Sequence, residues 1–386
     1  MTIEQLVEQV RQLLLAGQFE QAEAQLRPVI ASGSGPTLIW RLLTQALRPQ
    51  GKIAEARQLQ EMLVEQLPGD LAGRFDLSET LLLLGEFERG WREYRYRYSL
   101  PNTKLIERKV QQPRWAGEPM PGRTLLIHDE QGYGDTFQFL RLALAAKTRS
   151  QAKVILEVNP ESLSIVQRSL GGAVEQILTK EQLPPAFDRH CELMSLPNAL
   201  GLKLTDLPGQ VAYSTPDAQR VQHWKQRLQG HKRPLVALCW AGRPTHTNDT
   251  NRSTSLAAFA ALANTNATFV SIQKGPAAAQ ALSPPEGMSL LALDPEIKDF
   301  EDTAAILTVV DLLISIDSSP VHLAGALNRP TWVLLPLVPD WRWLLERRDS
   351  PWYPNHRLYR QTCRGDWNTV MQRIRADLEL FSTTDK

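Results

Sequence analysis

The sequence predicts an α/β protein with an N-terminal all-α part, and three observations carry that prediction. A 34-residue self-similarity runs through the first hundred residues, and a stretch rich in proline and glycine follows it. Two successive series of short apolar runs alternating with helical patterns fill the remainder, as βαβ units with parallel sheets do. The 386 residues allow two or three domains, each able to bury its own core. Hydrophobic residues make up 42% and charged residues 22%, which excludes disorder as a whole-chain state. Lys and Arg number 43 against 42 acidic residues, so no long-range positive field gathers nucleic acid or anionic lipid. The three cysteines, Cys191, Cys239 and Cys363, lie far apart and are odd in number, which suits reduced thiols. No apolar stretch approaches the roughly 18 residues of a membrane span, and Met1 to Val10 lacks a basic and an apolar leader region. The expectation is a cytoplasmic protein with no membrane span and no nucleic-acid partner.

The helical part spans residues 1–100. Gly17-Gln18-Phe19-Glu20-Gln21-Ala22 recurs as Gly51-Lys52-Ile53-Ala54-Glu55-Ala56 and again as Gly85-Glu86-Phe87-Glu88-Arg89-Gly90. In each copy a small residue closes one helix, a large apolar residue enters the next, and a small residue three further on lets two helices approach. The pattern resembles the tetratricopeptide repeat, including Trp40 and Leu43 in the second copy and Pro68, which cannot continue its second helix. At the equivalent sites the first copy carries Ser34 and the third Asn102 beside Pro101. Such an array either holds a peptide or another domain on a concave surface or buttresses the α/β part that follows. Tyr94 to Tyr98 alternates Tyr and Arg, as a strand would, but the repeat frame makes it helix. Its arginines and tyrosines form either a clasp for a phosphate or acidic peptide or a solvated face with cation–π contacts.

Residues 101–122 read as a linker, with Pro113, Gly117, Pro119, Pro121 and Gly122 near its end. The first α/β half, 123–216, predicts strands at Thr124 to His128, Lys153 to Val158 and Val174 to Leu178, with helices at Thr136 to Ala146 and Ser162 to Leu170. The second half, 217–386, opens on an amphipathic helix from Pro216 to Leu228. Strands come next at Leu235 to Trp240, Thr268 to Ile272, Leu290 to Leu293, Leu312 to Ile316 and Thr331 to Leu335. In such sheets ligands sit beyond the carboxyl ends of the strands, and the motifs fall there.

The first strand runs into Gln131-Gly132-Tyr133-Gly134-Asp135, a turn whose glycines permit close backbone approach to a ligand but lack the third glycine of a dinucleotide fingerprint. Gln131, Gly132 and Gly134 are therefore cleft candidates. Asp135 has two readings. It is either an inert N-terminal cap or a carboxylate that accepts a proton from a bound hydroxyl. Late in the chain a buried strand ends at Asp317, and Ser318 and Ser319 precede Pro320 in the first turn of a helix containing His322. Its N–H groups and dipole favour a phosphate; the alternative is an ordinary capped helix. The loop from Trp240 to Ser253 is long and polar. Within it Gly242 is a candidate contact, and Arg252 is placed to neutralise a diphosphate. Gln273 and Lys274 end the next strand and flank a nucleotide in this reading. Trp341, in an aromatic-rich stretch, stacks on a sugar or base or packs between the halves. No Asp-x-Asp and no close His/Cys cluster with metal-ligand spacing is present, so no metal is expected.

The order Gly-x-Gly-Asp, polar loop, Asp-Ser-Ser-x-x-His-Leu-Ala-x-Ala-Leu resembles glycosyltransferase family 9, which includes the ADP-heptose heptosyltransferases of lipopolysaccharide assembly. The resemblance covers roughly residues 121–380. It implies a GT-B fold of two Rossmann-like halves, with a nucleotide sugar on the second half and no cofactor. It also implies that Asp135 is the base and that Asp317, Ser318, Ser319 and His322 form the phosphate loop. The family's threonine and glycine in that loop are both serines here. The layout of repeats and α/β halves also resembles the protein O-GlcNAc transferases. The implied reaction is an inverting transfer of a hexosyl or heptosyl group to a protein or glycan acceptor, with Arg252 and Lys274 at the departing diphosphate. Two alternatives stand beside it. One is a non-catalytic repeat adaptor with a degenerate α/β part; the other is a nucleotide-sugar epimerase using His128 or Glu130.

Overall fold

Three glycines in the helical part adopt the left-handed conformation that side chains resist, Gly17 at φ 70°, Gly51 at 79° and Gly85 at 81°. Each ends a helix in the same way. The residue after the glycine donates its N–H five residues back, Gln18 to Leu13, Lys52 to Leu47 and Glu86 to Leu81, at 2.8, 3.2 and 2.9 Å. In the computed structural model, which describes residues 2–32, 35–100, 104, 106–209 and 211–384, these turns join three helix pairs. They are α1 (Ile3–Leu15) with α2 (Phe19–Ala31), α3 (Thr37–Leu47) with α4 (Ile53–Gln66), and α5 (Leu71–Leu83) with α6 (Phe87–Tyr94). Each helix packs on the next; Ala22, Ala56 and Gly90 are buried, and Gly90 lies against Leu82 of the other helix in its pair. Ser34, Pro101 and Asn102, which mark repeat ends in the sequence, lie outside the described residues.

The surface charges repeat too, with their signs exchanged. Arg27 bridges Glu23 and Glu55 at 2.6 and 2.9 Å, and Lys52 bridges Glu23 at 2.6 Å. Thirty-four residues on, Glu61 bridges Arg57 and Arg89 at 3.3 and 3.0 Å, and Glu86 bridges Arg57 at 2.7 Å. Partly exposed pairs of this kind contribute about 0–1 kcal/mol each, so complementarity was kept while the individual charges were free to invert. Tyr94 to Tyr98 is helical as expected, and its face is divided: Arg95 is exposed, with its guanidinium 4.7 Å from the partly exposed Tyr96 ring. Arg97 is buried, with its guanidinium 4.4 Å from the Tyr98 ring and 5.5 Å from that of Tyr94.

By their contacts the residues form two units, Met1–Glu107 with Leu337–Glu346, and Arg108–Pro336 with Arg347–Lys386. The short excursion Leu337–Glu346 carries Trp341 into the first unit. There its ring lies edge-on to Trp91 at 5.0 Å and near Tyr94 at 6.3 Å, almost fully buried. That aromatic side chain is spent on packing within the helical unit, not on the cleft that the sequence suggested.

The second unit holds two parallel sheets. The first contains β1 (Thr124–His128), β2 (Lys153–Val158), β3 (Gln176–Thr179) and β4 (Arg189–Glu192) in the order β3-β2-β1-β4. Its helices are α7 (Tyr133–Ser150), α8 (Leu163–Leu170) and α9 (Leu196–Leu200). From Arg108 onward the linker belongs to this unit, where the backbone of Arg114 forms an isolated parallel β-bridge with that of His190 on the edge strand β4. After α10 (Ala218–Arg227) come β5 (Leu235–Cys239), α11 (Asp249–Arg252), β6 (Thr268–Ser271) and β7 (Leu290–Ala292). The chain continues through α12 (Phe300–Val309), β8 (Leu312–Ile316), α13 (Ser319–Ala326), β9 (Thr331–Leu335), β10 (His356–Arg360) and α14 (Trp367–Thr384). Their order in the sheet is β10-β9-β8-β5-β6-β7. Strands β5, β8 and β9 are buried throughout, because helices cover both faces of a parallel sheet. Val236, Leu238, Ile314 and Leu334 share one core with Val370, Ile374 and Leu378 of α14. Among the described residues no helix is long and apolar enough to cross a membrane.

Candidate active site

Helices α7 and α13 each begin just beyond the carboxyl end of a central strand, β1 and β8, and their first turns meet. A Cβ on Gly134 would lie 2.8 Å from the His322 ring and 3.5 Å from Ser319 Cα, so only glycine permits this approach. The fold thus joins the two motifs that the sequence presented 180 residues apart, Gly132 to Asp135 and Asp317 to His322.

Around α7, the Gly132 N–H donates to Asp135 Oδ2 at 2.9 Å, the reciprocal bond of an N-terminal capping arrangement. The carboxylate is half-buried, and the bond fixes its direction at the mouth of the turn. Beneath it the buried Asp129 carboxylate accepts from Thr136 Oγ1 at 3.1 Å and from the Asn159 N–H at 2.8 Å, and pairs with Lys180 at 2.6 Å. Gln131 is partly exposed at the start of the same loop.

Around α13, Ser318 is the N-cap in extended conformation and Pro320 sits in the first turn, where its missing N–H costs nothing. Ser318 Oγ lies 3.4 Å from Ser315 Oγ and 3.7 Å from Cys239 Sγ. Burial pushes the Cys239 thiol up, so it stays neutral beside the helix end. Arg252 donates to the Asp317 carbonyl at 3.0 Å and to Asp249 Oδ1 at 3.3 Å, which brings a guanidinium to the same turn. The Gly242 N–H donates to Ser253 Oγ at 2.9 Å, and Gly242 lies against Arg252. His322 is buried, with Nε2 3.6 Å from Asp317 Oδ1 and Nδ1 2.9 Å from the Tyr353 hydroxyl.

Two of the expected donor contacts have other occupations. Gln273 Oε1 accepts from the N–H groups of Trp240 and Ala241, both at 2.9 Å, while its Nε2 donates to the carbonyls of Ala241 and Lys274. All four of its amide positions are taken, so Gln273 is a brace for the loop after β5. The Lys274 ammonium donates to the carbonyls of Asp294 and Ile297 and pairs with the Asp294 carboxylate at 2.7 Å.

The sequence shows no metal-ligand spacing, but the fold brings His128, His190 and Glu192 within 4.8 Å of one another on adjacent parallel strands. Their donor atoms are committed to one another and to neighbours. His128 Nε2 meets His190 Nδ1 at 3.2 Å, Arg114 donates to Glu192 Oε1 at 2.9 Å, and Ser195 donates to Oε2 at 2.9 Å. Both carboxylate oxygens of Glu192 are thus held by protein donors. Burial holds His128 down to about 3, so it is neutral at ordinary pH. A buried neutral ring stacked on His190 is a poor proton carrier for an epimerase.

Residues 172–334 match the family model described as glycosyltransferase family 9 (heptosyltransferase). Over that stretch the chain is similar to glycosyltransferases of this family. It is 26% identical over 340 residues to protein FlbA of Caulobacter vibrioides, a match covering 82% of this chain but 56% of that relative's length. Among solved structures it is similar to a glycosyltransferase family 9 protein from Veillonella parvula, at 9% identity and a TM-score of 0.48, over 69% of this chain and 100% of the other. It is also similar to the ADP-heptose lipopolysaccharide heptosyltransferase II of E. coli, at 14% identity and a TM-score of 0.48, over 67% and 100% of the two chains.

Proposed function

We propose that this protein is an inverting, metal-independent glycosyltransferase of the GT-B type that moves a sugar from a nucleotide-sugar donor to an acceptor hydroxyl. The observation that carries the reading is the meeting of the first turns of α7 and α13 at Gly134, Ser319 and His322. A carboxylate then stands beside a helix N-terminus, which is what a single displacement at an anomeric carbon needs. Asp135 takes the proton of the attacking hydroxyl, at a turn formed with Gln131, Gly132 and Gly134 on the acceptor side. The departing diphosphate gathers negative charge, and the N–H groups of α13, the Ser318 and Ser319 hydroxyls, His322 and Arg252 meet it. Those groups supply the positive field that a metal supplies in other transferases. In the same reading the tetratricopeptide-type helices hold a protein or glycan acceptor in the cytoplasm.

The adaptor alternative has one observation in its favour, the capping bond that Asp135 already makes to Gly132. A panel of UDP, GDP, ADP and CDP sugars in a thermal-shift assay separates the two readings. A true donor at a hundred times its Kd stabilises the fold by about 2.7 kcal/mol, a rise of several degrees in Tm. Absence of a saturable shift with every sugar would remove the donor site and leave the adaptor.

A further inference from the structure

One buried carboxylate fastens the ends of three adjacent strands to the helix that carries Asp135. Asp129 directly follows β1, Asn159 directly follows β2 and Lys180 directly follows β3, which are neighbours in the order β3-β2-β1. The main chain sets two of them in place: the Asp129 N–H donates to the Glu157 carbonyl at 3.0 Å, and the Lys180 N–H to that of Val158 at 3.3 Å. Asp129 Oδ2 then accepts from the Asn159 N–H at 2.8 Å, from Asn159 Nδ2 at 3.0 Å and from Thr136 Oγ1 at 3.1 Å, while Oδ1 faces the Lys180 ammonium at 2.6 Å. A carboxylate offers about four lone-pair sites, and these donors occupy them. Asp129 is also almost fully buried, so it does not serve as a second base.

The turn above it needs such an anchor, because Gly132 and Gly134 give its backbone little preference of its own. Within the turn the Gly132 N–H directs the Asp135 carboxylate at 2.9 Å, and the N–H groups of Asp135 and Thr136 reach the Gly132 carbonyl at 3.0 and 3.2 Å. Those three bonds are internal, so they shape the turn without fixing it to the sheet. The Thr136 hydroxyl crosses that gap. It is buried, belongs to the residue next to Asp135, and meets a carboxylate held by the sheet. A carboxylate paired with an ammonium is an acceptor only, so the hydroxyl is the donor. We infer that Asp129, acting through Thr136, is a positioning residue that holds the Asp135 carboxylate in its direction at the mouth of the turn. Its bearing on turnover rests on the reading of Asp135 as the base, whereas the positioning itself does not.

Two substitutions at one site separate the hydrogen bond from packing. Thr136→Val keeps the shape of the side chain and removes the oxygen; Thr136→Ser keeps the oxygen and removes the methyl. Hydrogen exchange at the Gly132 amide of the ligand-free, full-length protein reads the Asp135 bond directly. It is expected to quicken roughly fivefold to tenfold in the valine variant and to stay within twofold in the serine variant. Asp129→Asn keeps the shape but offers a weaker, neutral acceptor, so a rise of about twofold to fivefold should follow there. An unchanged Gly132 amide in the valine or the asparagine variant would overturn the inference, and so would an equal rise at the amides of β2, which would mean that the whole sheet had loosened.

Turnover gives the second readout, as nucleoside diphosphate released from UDP, GDP, ADP and CDP sugars. Thr136→Val should lower kcat about tenfold and leave ADP and UDP affinity within twofold by calorimetry, while Thr136→Ser turns over nearly as the wild type. A loss in the serine variant without one in the valine variant would mark Thr136 as packing only. Asp135→Asn leaves no base to direct, so in that background Thr136→Val should lower turnover by less than a further twofold, and a full tenfold loss there would refute the coupling. If the wild type turns over none of these sugars, the base reading fails by itself, and exchange at Gly132 still decides whether Asp129 and Thr136 hold the carboxylate.

Discussion

The carboxyl ends of the two sheets are built from opposite chemistry. Across the first sheet, Glu157, His128 and Glu192 pair in register on three adjacent strands, and all are buried. Across the second, the corresponding level holds Cys239 opposite Ser315, with Ser318 above them. Buried carboxylates need counterions, and they take them from outside the strands: Arg108 pairs with Glu157 and Arg114 with Glu192. Neutral thiol and hydroxyl groups need none. The second sheet can therefore present a helix N-terminus and Arg252 to an anion without a wall of negative charge behind them, whereas the first sheet would repel one. In the function proposed above, the difference would place the diphosphate at the second sheet and the uncharged hydroxyl at the first.

The largest effect should come from the carboxylate in the first turn of α7. Asp135→Asn keeps an oxygen to accept the Gly132 N–H, so fold and nucleotide binding should survive while transfer falls by about 10²–10⁴. Unchanged turnover in a radiolabelled-sugar assay would strip Asp135 of its role. Next in size is the counterion of the acidic row. Arg114→Ala leaves Glu192, which has no exposed surface, without its cation, and should cost about 3 kcal/mol in urea unfolding, the lower end for buried pairs because the arginine side chain is 45% exposed. A loss below about 1 kcal/mol would show that the row is wetter than its burial implies.

The same contrast explains what could be read from the sequence. Strands β1, β2, β8 and β9 were legible to the residue because each is a short apolar run between polar turns. Strand β4, Arg-His-Cys-Glu, carries the buried charged row, so it has no apolar run to announce it. Strand β10 begins His-Arg at the sheet edge and is silent for a similar reason. The 34-residue helix pairs were legible because glycine at a left-handed turn is a local requirement. Gly134, Asp135 and the Asp317 to His322 turn were legible as local strand-end motifs. Arg141 and Tyr353 were not, since they meet only after the chain folds across more than two hundred residues. Trp341 looked like a ligand contact by composition, and nothing local says that its segment enters the helical unit.

Acid should separate the two rows by a smaller margin. His128 is held near 3 by burial, against about 6.5 in the unfolded chain, so at pH 5 the unfolded state binds the proton and the folded state does not. Its stabilisation is complete above pH 6.5 and is lost as pH falls towards 3, amounting to roughly 2 kcal/mol at pH 5. His128→Asn should flatten that part of the stability profile. A profile equally steep in wild type and variant would move the acid sensitivity elsewhere, to His356 first, which burial also holds at about 3.

The mildest test inverts the chemistry of the second row. Ser318 caps α13 without a side-chain bond to the helix, and Asp is an equally good cap whose charge also suits the dipole. Ser318→Asp should thus change unfolding stability by less than about 1 kcal/mol. The carboxylate would nevertheless stand where a diphosphate gathers charge, beside Asp317, and nucleotide affinity should fall about tenfold or more. A stable variant that binds as well as the wild type would mean that neutrality of the second row has no bearing on the anion. The helix end would then be a cap like any other, and the contrast between the sheets a matter of folding alone.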